Sequence, residues 1–213
     1  MTSPGLVGVV AQLVFAIALG GLSLSQGHAS PEPLPRGLAI GLLYATPAVV
    51  GWLGTVARRR SLLLAAAAAD VVGAPLSWSF VTLLFLVPAI LFVGEMGRLP
   101  NREMGGRSRL GQALAGVAVA ALLVGAGVAL LGLTEPLCWI ATQGPAGISY
   151  QIVPDAGGIP IGPGQSAGCD SAALTLQGIG LAAALALAAL GLAFFVAGGR
   201  AAFRSRWEPT RPS

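Results

Sequence analysis

Lysine is missing from this chain altogether, and charge of either sign is scarce. Asp, Glu, Lys and Arg together make up 9% of the 213 residues, against roughly a quarter in soluble domains. There is one histidine, and there are two cysteines. Each shortage excludes something. So little charge beside 55% hydrophobic residues excludes an ordinary water-soluble domain. His28 has no Cys, Asp or Glu cluster beside it, which argues against a metal site. No nucleophile sits at a useful spacing from a base, no carboxylates cluster, and no glycine-rich loop follows a strand to cradle a phosphate. The sequence therefore implies no enzyme and no cofactor.

The formal net charge of +4 invites a nucleic-acid reading that its placement removes. All twelve basic residues are Arg, set in short clusters beside apolar runs. Such clusters are topology signals that also attract anionic lipid headgroups. The lipid bilayer is the expected partner; no nucleic acid is. Heavy use of Ala, Gly, Leu and Val, with Arg in place of Lys, points to a GC-rich bacterial genome.

What the chain has in quantity is long apolar runs. About 20 residues of helix cross a bilayer, and the runs predict an all-α, multi-pass bundle of about six helices in one membrane domain, residues 1–213. The expected spans are 6–24, 37–56, 62–76, 80–94, 110–133 and 172–197. A long polar loop, 134–171, and a tail, 198–213, complete the chain. The first run resembles a signal peptide only at Gly27-His28-Ala29. Its length, and the lack of a preceding Lys or Arg, favour a retained helix. Ser25 to Arg36, with three prolines, reads as a stiff connection.

The stretch Ser61 to Gly97 organises the topology. Arg58, Arg59 and Arg60 precede it, and Arg98, Arg102, Arg107 and Arg109 follow it. If both clusters face the cytoplasm, the stretch must enter the membrane and return, by crossing twice or as a re-entrant hairpin. Arg200 and Arg204 mark a third basic cluster in the tail. With both termini cytoplasmic, all the arginines except Arg36 fall on the inner side of the cell membrane. Loop 134–171 then lies outside, where Cys138 and Cys169 can hold a disulfide.

Two places could carry function. Asp70 is an acid in the middle of an apolar run, where a charged side chain costs at least about 2.5–3.5 kcal/mol. It reads as a proton or cation site with Tyr44 or Gln12 as partner. The blander readings are an interhelical hydrogen bond or a position near the span's wet end. Glu95 is expected to pair with Arg98. The second place is the outer loop. Ile148 to Val153 alternates like a strand, Asp155 to Gly158 has turn chemistry, and Ile159-Pro160-Ile161 could return as its partner in a short hairpin. Trp139 is expected as an interfacial anchor. The loop is either a surface for a protein partner or a stapled connection. The leading expectation is a non-enzymatic accessory, scaffold or sensing protein acting through this loop. Its rival is a small transporter or channel subunit using Asp70. Oligomeric state is not legible.

Overall fold

Proline placement sets where the helices begin. The structure, a computed structural model, describes residues 3–26, 33–76, 80–99, 106–145, 147–154 and 161–198. Pro4 opens α1 (Pro4–Gln26), and Pro33 and Pro35 stand in the first turn of α2 (Pro33–Val56). A proline there gives up an N–H that has no intrahelical partner anyway. The connection before α2 is therefore shorter than the sequence suggests. α3 (Arg60–Leu76) follows, then a 3-10 segment (Phe80–Phe85) that runs straight into α4 (Leu86–Arg98). Pro88 is the third residue of α4, so its missing N–H coincides with the change from 3-10 to α geometry rather than interrupting a helix. α5 (Gly106–Gly132) and α6 (Leu176–Gly198) complete the helices. The described residues are mostly helical. Among the described residues, four stretches are long and apolar enough to cross a membrane: Pro4–Leu22, Gly37–Val56, Leu110–Gly132 and Leu176–Gly198.

The link between α2 and α3 is a Schellman cap. Arg59 N–H donates to the Gly54 carbonyl at 2.8 Å and Arg58 N–H to the Thr55 carbonyl at 3.3 Å. Arg58 takes the left-handed position with φ of 52°, where glycine is usual. The chain thus turns sharply at its densest basic cluster. At the same end, the Arg60 guanidinium donates to the Leu99 carbonyl, which holds the start of α3 beside the end of α4. Glu95 is buried near that end, and its carboxylate accepts from Ser3 Oγ at 2.8 Å and Gly5 N–H at 3.2 Å. It caps the positive end of α1. Among the described residues it forms no ion pair with Arg98, contrary to expectation. The free N–H groups of a helix start outcompete an exposed guanidinium that water can solvate.

These contacts gather the start of α1, the α2–α3 link and the end of α4 at one end of the bundle. The start of α5 joins them, since Gly116 lies against the Ser61 carbonyl. So does the end of α6, whose Ala189 and Ala193 pack in one core with Leu62, Leu63 and Phe92. Close helix approach rests on small residues. A Cβ on Gly20 of α1 would stand 3.0 Å from the Gly37 carbonyl and 3.2 Å from the Gly41 Cα of α2.

The opposite end carries a three-stranded antiparallel sheet with its first strand in the middle. β1 (Thr134–Gly144) leaves α5 after one residue, and β3 (Gln165–Leu174) reaches α6 across one residue. Their pairing begins at Thr134 opposite Leu174, so the two strands prolong the α5–α6 hairpin. Pro136 sits at the register shift between Glu135 and Leu137. There its missing N–H removes nothing from the ladder. β2 (Gly147–Val153) pairs with β1; Ile159 and Pro160, expected to return as its partner, lie outside the described residues. The loop folds as a three-stranded sheet, larger than the short hairpin expected, and residues 172–174, expected to start the final helix, belong to β3.

Candidate functional site

Three polar side chains converge where α1, α2 and α3 meet. Gln12, Tyr44 and Asp70 are buried, with relative exposures of 0%, 8% and 3%. Gln12 Nε2 donates to Asp70 Oδ1 at 2.6 Å and to the Tyr44 carbonyl at 3.0 Å. The Tyr44 hydroxyl donates to the Gly73 carbonyl at 3.3 Å. One amide therefore ties all three helices, and the phenol ties α2 to α3 a second time. Asp70 Oδ2 and Gln12 Oε1 are buried and have no hydrogen-bond partner among the described residues. Phe85, fully buried, packs on the Tyr44 ring with centroids 4.7 Å apart and on Phe15 at 6.0 Å.

Beside Asp70 lies a cavity of about 30 Å³, lined by Tyr44, Pro47, Gly73 and residues of α5 including Leu123, Gly127 and Leu131. Leu131 is one residue from the end of α5, so the cavity lies toward the sheet end. Pro47 has no N–H to give the Leu43 carbonyl, and both residues line the cavity. Sequence reasoning named Gln12, Tyr44 and Asp70 but missed the α5 wall and Phe85. Apolar residues in helices carry no signal for which neighbour they will face.

The sheet is the second candidate. Cys138 and Cys169 stand directly opposite in the β1–β3 register and form a disulfide, with Cα atoms 4.0 Å apart. Trp139 is buried within the sheet, its indole against Gly168, and is no interfacial anchor. A Cβ on Gly168 would meet that ring at 3.0 Å. Thr175 joins sheet to helices: its hydroxyl donates to the Leu133 carbonyl at 2.7 Å and accepts from Gly178 N–H at 3.0 Å, capping α6. Among the described residues, β2 has β1 on one side only. Ile148, Tyr150 and Ile152 alternate onto one face, and both isoleucines are 58% exposed.

Of the basic markers, Arg58, Arg59, Arg60 and Arg98 fall at the end away from the sheet, and Arg107 and Arg109 stand in the first turn of α5. Arg102, Arg200 and Arg204 lie outside the described residues, as do His28, Ser77 to Ser79 and Asp155 to Pro160. Among the described residues no group of three or more His, Cys, Asp or Glu could hold a metal. No protein-family model, no curated protein and no solved structure matches the chain.

Proposed function

We propose that this chain is a six-crossing protein of the cell membrane with both termini cytoplasmic, and that it works without catalysis, as a scaffold or sensing component presenting its sheet outside the membrane. Apolar side chains exposed along the helices, among them Ile17, Leu42, Ile90, Val117, Leu187 and Phe195, support lipid as the surrounding medium. α3 has 17 residues, about 25 Å of helix, and the 3-10 segment with α4 reaches about 31 Å. The second matches a core of about 30 Å, and flanking residues extend α3 toward it. The shared basic end supports the orientation.

The observation that carries the functional reading is the construction of the sheet. It grows directly from α5 and α6, is pinned by Cys138–Cys169, and among the described residues ends in an edge strand, β2, with no charge and no proline. Edges that must avoid partners are usually blunted by such residues. β2 suits a protein partner that offers an extended segment. Two measurements test this. Intact cells treated with a membrane-impermeant reductant should expose Cys138 and Cys169 to an impermeant thiol reagent; labelling only after permeabilisation would overturn the orientation. Ile148→Lys with Ile152→Lys should abolish co-purification of the partner while the helices remain folded. An unchanged set of co-purifying proteins would overturn the role of β2.

A further inference from the structure

We infer that the basic end of the bundle holds the phosphodiester of one anionic phospholipid, between the α2–α3 turn and the end of α4. This rests on the chain spanning a membrane, and neither on the sheet nor on the side it faces. Charge at this end is unbalanced. Arg58, Arg59 and Arg60 stand on the turn, and the bond from the Arg60 guanidinium to the Leu99 carbonyl brings Arg98 beside them. A carbonyl satisfies a donor but cancels no charge. Among the described residues Glu95 is the acid at this end, and its buried carboxylate is already engaged by Ser3 and Gly5. The four guanidiniums lack a counter-charge.

Arg58 and Arg98 are exposed, and Arg59 is half-buried. Arg59 Nε is covered by protein and has no acceptor among the described residues, so an anion meets this side chain at the outer nitrogens of its fork. Guanidinium forks match the paired oxygens of a phosphodiester. What surrounds the arginines selects a lipid over a free anion. Val56, Leu64 and Val93, each within five residues of an arginine of the cluster, are 63%, 53% and 47% exposed. Free phosphate gains nothing from them, whereas a lipid lays its acyl chains on them while its phosphate reaches the cluster. A zwitterionic headgroup would bring its own ammonium to the arginines, so the fit is to an anionic one. The basic residues of α5 stand apart. Gly116 lies against Ser61, and Arg109 and Arg107 precede it by seven and nine residues, about 10 and 14 Å farther along the helix axis. Those distances exceed the roughly 8 Å over which physiological salt leaves a charge felt.

The test uses the full chain in a neutral detergent, offered phosphatidylglycerol or phosphatidylcholine with the same oleoyl chains. Native mass spectrometry counts the bound lipid, and a titration gives its dissociation constant. Phosphatidylglycerol should bind about tenfold tighter or more. At ten times its dissociation constant it should raise the thermal midpoint by about 3 °C. Arg59→Gln with Arg98→Gln should weaken its binding about thirtyfold, the effect of two arginines at a headgroup surface. Arg107→Gln with Arg109→Gln removes the same charge and should weaken it by less than about threefold. Equal losses in the two double variants overturn the site, as does displacement of the lipid by inorganic phosphate, which would make the cluster a free-anion site. Lipid preference and phosphate competition in the unmodified protein decide the matter if a variant fails to fold. Equal binding of the two lipids overturns the headgroup site and leaves the membrane reading standing; binding of neither overturns both.

Discussion

In the helical part, Gln12 and Asp70 are 58 residues apart and meet through one side-chain hydrogen bond. In the sheet, Cys138 and Cys169 are 31 residues apart and meet through a covalent bond set in a backbone ladder. Both contacts close a long loop, but they depend on different surroundings. The polar cluster exists because apolar helices exclude water and leave its atoms no other partners. The sheet sits beyond the helices, satisfies its backbone internally, and needs a covalent pin because its small apolar interior, chiefly Trp139, Ile140 and Val153, cannot hold three strands unaided. A perturbation of one region should therefore leave the other largely intact.

The strongest way to break this comparison is to remove the disulfide. Cys138→Ala with Cys169→Ala should cost the sheet about 3–4 kcal/mol on the chain-entropy model. Hydrogen–deuterium exchange should rise by orders of magnitude in β2 and β3 and hardly change in α3. Equal loss of protection in α3 would mean that sheet and bundle unfold as one unit.

The converse perturbation is smaller. Gln12→Leu removes the donor to Asp70 and to the Tyr44 carbonyl and should destabilise the bundle by about 1–2 kcal/mol. Adding Asp70→Leu should recover most of that, because two apolar groups need no partners. Exchange in β2 should not change in either variant. A double variant no better than the single would show that the leftover oxygens were never the cost.

How much of this was legible in the sequence follows from the same contrast. The helices were, since long apolar runs allow little else, and so was Asp70 as a misfit within one. The cysteine pair was legible because both residues fell in one polar loop. Strand pairing was not. Ile148 to Val153 alternates visibly, but Thr134 to Gly144 contains Pro136, and Gln165 to Leu174 is small and polar; neither reads as a strand without its neighbour. Glu95 was misassigned for a similar reason. Arg98 is three residues away in the chain, whereas Ser3 and Gly5 are reachable only once α1 lies beside α4.

Thr175 is where the two regions are joined. Thr175→Ala removes both the α6 cap and the bond to the Leu133 carbonyl and should cost about 1 kcal/mol. Unlike the first two variants, it should raise exchange on both sides of the joint, at the first turn of α6 and at the Thr134–Leu174 end of the ladder. A change confined to α6 would show that the threonine caps a helix but does not couple it to the sheet.

The smallest effect lies farthest from the sheet. Arg58 is the described non-glycine residue with positive φ, and it occupies the cap position that glycine fills without strain. Arg58→Gly should raise the thermal midpoint, a gain of about 0.5–1 kcal/mol. Arg58→Val should lower it by more, because a β-branched side chain crowds the left-handed conformation. Both variants remove the same charge, so their difference isolates the backbone from the electrostatics. If the two midpoints agree, then Arg58 matters at this turn only as a charge, and the retention of Arg there follows from its place in the basic cluster rather than from the geometry of the cap.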